Sequence, residues 1–414
     1  MKAFTLKQIG IVVLLISCLS FFESCRKTDS ANIAQTPSGH LIHKYGLNTM
    51  ADEEWNNLPV FPDNAFTEKG LAAATLPSSY LLTTPAVRDQ GQIGSCTGFC
   101  GSETNEILNY YKNVAGITSP AITVSNCVST AVSNKFASNS YFGADGALSP
   151  LFLYYVERCV IERKAITADP GANMVNIGEA LQGLSNNTGS GSALSLNSHN
   201  FKGQCTEDLY TYPTSVITAN NPYNTAGPTS TQFTTAPTTS AISNALNFSL
   251  AAQSGSTGTT GAVTLHGYYQ ISATGDTNEV NNVKLAIINN KPVMMGFSVY
   301  DNSSYSIFED LNTSSYIYDP LIAKTTSTTK HGVTTTTTSY VLNTSLKLMG
   351  GHAVPLIGFI NDGTASTSAT GGGYFIVQNS WGTPWGYNGD FLLPYSVLRN
   401  TTVVPSGSLF VAIL

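Results

Sequence analysis

The first strong hydrophobic run extends from Ile9 to Phe22, behind Lys2 and Lys7, and gives way at once to Arg26-Lys27-Thr28-Asp29-Ser30. It is too short and too unsupported on its far side for a spanning helix, and reads as a secretory signal. No later segment is apolar enough to cross a bilayer. Residues 26–76 hold few periodic segments and predict a tether or short pro-segment. From Leu76-Pro77 onward the pattern is that of a globular domain, with helical periodicity first. Phe99, Leu108 and Tyr111 suit one buried helix face, with Ser95 as N-cap. Ser149-Pro150 opens a second helix, and Ile177 to Leu184 reads as a third.

Strand patterns dominate later. Pro292 to Tyr300, Ala353 to Ile360, Tyr374 to Val377 and Phe391 to Leu393 are short apolar runs bounded by Gly, Asn and Pro. The order predicts an α+β fold of two lobes, helical over about 94–215 and β-rich over about 216–414. Ser/Thr/Gly-rich stretches at 185–198, 225–241, 254–261 and 325–339 have no apolar face to bury and predict flexible surface insertions.

The 414 residues include 42% hydrophobic side chains, enough for a substantial core, and only 11% charged ones, with a net charge of −6. Nucleic acid is excluded as a partner, since phosphate binding needs clustered Lys and Arg. Of seven cysteines, Cys18 and Cys25 lie in the signal and Cys96 in the chemistry below. Cys100, Cys127, Cys159 and Cys205 remain, either as disulfides in one of three connectivities or as buried thiols. With no CxxC pair and scattered histidines, neither a metal nor a cofactor site is expected.

Gln90-Gly91-Gln92-Ile93-Gly94-Ser95-Cys96 sets a cysteine after a Gly-Ser turn at a predicted helix start. There the helix macrodipole and backbone N–H groups favour thiolate. A thiolate nucleophile also needs an imidazole, a group to orient it and donors for the oxyanion. His352 lies in Gly350-Gly351-His352-Ala353-Val354, Asn379 follows Phe375-Ile376-Val377-Gln378, and Gln90 can reach over the turn toward the Cys96 N–H.

These three blocks, with Asn379-Ser380-Trp381-Gly382-Thr383-Pro384-Trp385-Gly386, resemble the papain-like cysteine peptidases. The resemblance covers most of 77–414 and extends weakly to Leu148-Ser149-Pro150, 177–184 and Gly203-Gln204-Cys205, which resemble bacterial members. It implies a papain-like two-lobe fold cleaving peptide or protein substrates, with Cys96 as nucleophile, His352 as acid/base, Asn379 as imidazole orienter and Gln90 as oxyanion donor. Trp381 would shield the Asn–His contact, and the pair would rest as thiolate and imidazolium. Ser24-Cys25 resembles a bacterial lipoprotein signal, with Cys18 the alternative site. It implies an exported, monomeric protein held at the cell-envelope membrane by a lipid anchor.

Thr97 departs from the aromatic residue usual after the nucleophile, and Ile93 removes the family's first disulfide. His352 and Asn379 lie well beyond the family spacing of roughly 130–150 residues from Cys96, so more than a hundred inserted residues remodel the cleft and substrate preference does not carry over. The alternatives are an inactive papain-fold binding lipoprotein and a serine hydrolase. The first is opposed by the retention of Cys96, His352 and Gln90. The second rests on Gly189-Ser190-Gly191-Ser192-Ala193, a weak elbow in low-complexity sequence.

Overall fold

The structure is a computed structural model. It describes residues 43–48, 76–136, 147–182, 201, 203–213, 232–253, 267–271, 277–302, 306–311 and 315–413. The signal with Cys18 and Cys25, most of 26–76, the stretches 185–198 and 254–261, part of 225–241 and the Gly189–Ala193 segment lie outside the described residues.

Strands β1 (Ser79–Leu81), β2 (Gly267–Gln270), β3 (Val293–Asp301), β6 (Lys347–Asn361), β7 (Gly373–Gln378), β8 (Asp390–Pro394) and β9 (Leu409–Ile413) form one antiparallel sheet. Its order is β2-β9-β3-β6-β7-β8, with β1 on β6. The four apolar runs expected to be strands lie in β3, β6, β7 and β8. Because successive side chains point to opposite faces, β9 divides its residues between two cores. Leu409 and Val411 join the cluster on one face, and Phe410 and Ala412 the cluster on the other.

The second cluster is where the helices dock. It gathers Phe99 of α1 (Cys96–Asn113), Leu151, Phe152 and Leu153 of α3 (Pro150–Tyr155), and Ile177 and Leu181 of α4 (Met174–Gln182). A shorter helix, α2 (Cys127–Ser133), packs in the other cluster through Cys127, Val128 and Ala131. The lobes do not part at one point in the sequence. Ala241, Ile242 and Ala245 of α5 (Thr239–Gln253) join the helical cluster, whereas Val283 and Ile287 of α6 (Thr277–Ile288) join the sheet cluster.

Helix α1 sits close enough to α3 that a Cβ at Gly98 would fall 2.6 Å from the Pro150 carbonyl oxygen. Ser149 caps α3 as expected, accepting from Phe152 N at 3.0 Å with Pro150 in the first turn. Ser95 does not cap α1: its hydroxyl is 2.6 Å from the Tyr212 hydroxyl, which takes it away from the helix amides.

The insertion at 325–339 is not a flexible loop. Leu321–Lys330 (β4) and Val333–Leu342 (β5) form a hairpin in which Thr325 to Thr329 pair with Thr334 to Thr338. Threonine is β-branched and suits a pleated ribbon. The turn residues His331 and Gly332 take φ of 49° and 77°, the left-handed pair of a tight hairpin turn. Residues 322–339 are exposed, so the surface placement is as expected. Cys100, Cys127, Cys159 and Cys205 are buried free thiols, which decides against disulfides among them.

Candidate active site

His352 projects from β6 opposite Phe297 of β3, and Asn379 follows the last residue of β7, the next strand of the sheet. This adjacency closes the gap between two motifs far apart in sequence. His352 Nε2 and Asn379 Oδ1 are 2.7 Å apart and both side chains are fully buried. Trp381 lies beside them, its ring 5.0 Å from that of His352. Trp385 backs Trp381 at 5.4 Å and donates through Nε1 to the Phe308 carbonyl. An aromatic wall therefore excludes water from the imidazole–amide contact. His352 Nδ1, the other ring nitrogen, has no hydrogen-bond partner.

Cys96 opens α1, and the chain before it is tied to the Asn379 segment. Gln90 N donates to the Ser380 carbonyl at 2.8 Å, and Gly382 N donates to the Arg88 carbonyl at 3.1 Å. The Ser380 hydroxyl donates to Gln90 Oε1 at 2.7 Å. With its oxygen held, the amide turns its NH2 outward, where Nε2 donates to the Ile93 carbonyl at 2.9 Å and the Lys44 carbonyl at 3.0 Å. Gln90 is thus a preorganised donor with a carbonyl already on it.

That carbonyl belongs to a segment that sequence reasoning did not place. Residues 43–48 run through the cleft between α1 and β6. Leu47 N donates to the Gly351 carbonyl at 3.0 Å, Ala172 N donates to the Gly46 carbonyl at 2.9 Å, and Asn48 N donates to the Ala172 carbonyl at 2.8 Å. The His43 ring stacks on Trp381 at 4.4 Å, and Tyr45 OH donates to Glu309 Oε1 at 2.5 Å. Lys44 Nζ reaches Asp169 Oδ2 at 2.6 Å. Gly46 passes so close to the turn before Cys96 that a Cβ there would lie 2.0 Å from the Gly94 carbonyl oxygen.

Residues 320–402, which carry His352 and Asn379, match the family model of the papain family cysteine proteases. The structure superposes on the crystal structure of xylellain, a cysteine protease from Xylella fastidiosa, with a TM-score of 0.53. The alignment covers 89% of this chain and 95% of that one at 20% identity. The fold is papain-like. It is also 30% identical over 137 residues to an uncharacterized peptidase C1-like protein of Acanthamoeba polyphaga mimivirus. That match spans 32% of this chain and 33% of the relative's length.

Within this papain-like cleft the electrostatics are those of a covered site. The expectation of a resting thiolate–imidazolium pair does not hold in this form. Burial pushes the Cys96 thiol up to about 12, even though the backbone amides of Ala353, Gly46 and Thr97 favour its anion. Burial pushes His352 down to about 4 against the opposing hydrogen bond to Asn379. Both shifts disfavour charge, so Cys96 is held as a thiol and His352 as a neutral imidazole. The helix N-terminus is present, but desolvation outweighs it. Burial likewise takes His43 to about 3, so its 3.7 Å approach to Asp89 is a contact of a neutral ring, not an ion pair.

Sequence reasoning also passed over two cleft carboxyls. Burial raises Glu309 to about 8, which keeps it protonated opposite Tyr45. Asp169 stands beside Gly94, two residues before Cys96, and accepts from Gly94 N at 3.1 Å and Tyr154 OH at 2.6 Å. Neither carries a motif, and only the fold brings them to the cleft.

Proposed function

We propose that the chain is a cysteine-type peptidase, in which Cys96 attacks a peptide carbonyl, His352 takes and returns the proton, Asn379 orients the ring and Gln90 donates to the oxyanion. The observation that carries this reading is the 2.7 Å His352–Asn379 contact set against a Gln90 amide already engaging a peptide carbonyl. In the reaction, Sγ bonds to the carbonyl carbon, the leaving amine takes the proton from His352, and water then releases the acyl group. Developing negative charge on the carbonyl oxygen is met by the Gln90 NH2. Residues 43–48 act as a short pro-segment that keeps the pair neutral. When they leave, water re-enters, the desolvation penalty falls, and the helix N-terminus and imidazolium favour the thiolate.

The test is iodoacetamide alkylation of Cys96 across pH, with peptide-library hydrolysis read in parallel, in wild type and His352→Ala. Hydrolysis that disappears in Cys96→Ala, and an alkylation profile that shifts in His352→Ala, are expected. Coincident profiles and no hydrolysis would leave the inactive binding lipoprotein as the reading. Export and a lipid anchor at Cys25 belong to the same proposal, supported by the apolar run ending at Ser24-Cys25. Intact-mass analysis of membrane extracts tests it, and an unmodified soluble N-terminus would overturn the anchor alone.

A further inference from the structure

We infer that the end of the sheet away from the cleft carries a binding site for a small oxyanion, the phosphate ester or carboxylate of an organic molecule, held between Lys284 and Arg399. Asn361 ends β6, the strand that carries His352, and a rise of about 3.3 Å per residue sets the two about 30 Å apart. There a cavity of about 350 Å³ opens between α6 and the 362–372 loop, lined by Lys284, Asn361, Thr364, Ser366, Tyr395 and Arg399. Its volume falls in the range of small-molecule pockets, roughly 300–1,000 Å³.

Both cations are short of acceptors. Lys284 is only 7% exposed, and its Nζ donates to Asn361 Oδ1 at 2.8 Å. Nζ also lies over ring faces, 4.1 Å from the Tyr395 centroid and 5.5 Å from that of Phe359. Asn361 Oδ1 is shared, since it accepts from Tyr395 OH at 3.1 Å as well. Among the described residues no carboxylate pairs with Lys284, and burial and the Arg399 charge push its ammonium down to about 8. Arg399 is half-buried and gives one hydrogen bond, from Nη2 to the Ser366 carbonyl at 2.6 Å. Gly371 leaves room for that guanidinium: a Cβ there would lie 2.5 Å from Nη2. Glu279, in the first turn of α6, favours the Arg399 charge but does not offset that of Lys284. The Asp362 carboxylate is taken up within its own loop, accepting from the Thr364 and Thr370 hydroxyls. A buried ammonium costs stability until an anion answers it. An oxyanion in the cavity accepts from the Nζ donors that Asn361 leaves open and from the guanidinium, through charge-assisted hydrogen bonds.

The probes are inorganic phosphate and acetate, added to the full chain at constant ionic strength with chloride as control. Titration calorimetry should give the preferred anion a Kd on the order of 1 mM. At about twenty times that concentration Tm should rise by roughly 2–4 °C. Tighter binding of phosphate assigns the site to a phosphate ester, and binding of acetate as tight or tighter assigns it to a carboxylate. Lys284→Met keeps an unbranched chain against Phe359 and Tyr395, removes the charge, and should abolish the response. Arg399→Gln should weaken binding at least about tenfold. Reductive methylation read by peptide mass locates the anion: saturation should slow labelling of Lys284 by about tenfold and leave exposed Lys330 unchanged. No response to either anion, a response that chloride matches, or one that survives Lys284→Met overturns the inference. So does labelling of Lys284 that the anion does not slow. If Lys284→Met does not fold, Arg399→Gln and the labelling still decide.

Discussion

Residues 43–48 and the β4–β5 hairpin are both short extended segments, yet one is sealed between helix and sheet and the other stands in water. Residues 43–47 are buried or half-buried, whereas 322–339 are exposed throughout. Hydrophobicity alone does not separate them. The cleft segment is held largely by polar partners: backbone groups of Gly351 and Ala172, and the side chains of Gln90, Asp169 and Glu309. The hairpin satisfies its own backbone through ten paired positions and packs on the sheet core at its base, through Leu321 and Leu342. Burial of an extended segment is thus decided by whether another surface offers matched donors and acceptors.

The sharpest way to break this comparison is to push the buried segment out. Gly46→Ala puts a Cβ 2.0 Å from the Gly94 carbonyl oxygen, a backbone atom that cannot swing aside. Uncovering the cleft should return the thiol from about 12 toward or below its free value. One pKa unit is a tenfold change in thiolate, so Cys96 alkylation at pH 7 should rise at least ~10²-fold. An unchanged rate in a folded Gly46→Ala protein would mean that the segment does not mask the nucleophile.

Gln90 separates masking from chemistry, because it touches both the segment and the proposed oxyanion. Gln90→Ala should lower kcat by roughly 10²–10³, the loss seen when one oxyanion donor is removed. The same change removes the bond to the Lys44 carbonyl, so alkylation should rise while turnover falls. Asn379→Ala should cost less, because in the proposed mechanism Asn379 orients the ring and takes no proton. If turnover and alkylation move together in Gln90→Ala, its role is only to hold the segment.

Motif and periodicity made much of this legible. The apolar runs placed β3, β6, β7 and β8, and the Ser149-Pro150 cap placed α3, because those signals are local. The His352–Asn379 contact was legible because the residues flanking each are distinctive, and the sheet brings the two together on adjacent strands. Ser95 misled because a hydroxyl far away in sequence, on Tyr212, competes for it. The Thr run misled because its composition resembles a loop while its residue type favours a ribbon. The neutral Cys96–His352 pair, the docking of 43–48 and the place of Asp169 were not legible, since each depends on what covers what across long sequence separations.

Beneath the cleft the rule that buried charge needs a partner gives a smaller, pH-dependent effect. Glu103 on α1 is 1% exposed, and neither carboxyl oxygen has a hydrogen-bond partner. Burial raises it from 4.5 to about 8, against the pull of Arg88. The folded protein holds this proton more tightly than the unfolded chain. Its contribution to stability is therefore complete below pH 4.5 and is lost as pH rises through about 8. Glu309 shifts the same way, to about 8, and adds to the slope. Thermal melts between pH 5 and 9 should show a falling Tm, and Glu103→Gln should recover roughly 2–4 °C at the alkaline end. A Tm difference that stays constant across that range would mean that Glu103 does not change its protonation on unfolding.

The smallest effect is expected at the other pole of the comparison, in the hairpin itself. Ala323 faces Tyr340 across the ribbon, so residues 325–339 can be removed and the remaining strands joined by a tight turn. What is lost is an exposed ribbon whose Thr–Thr pairs, such as Thr329 with Thr334 at 2.9 Å, are open to water and contribute little. A two-stranded ribbon is itself only marginally stable, so its removal takes away little that the sheet depends on. The turn must leave β6 in register, because Phe297 opposite His352 sets the height of the imidazole in the cleft. Tm should move by less than about 2 °C and peptide turnover by less than about threefold. A large drop in Tm would show that the ribbon braces the sheet. Lost turnover at unchanged Tm would show instead that its contribution is to the cleft, through the chain that leads from β5 into the strand carrying His352.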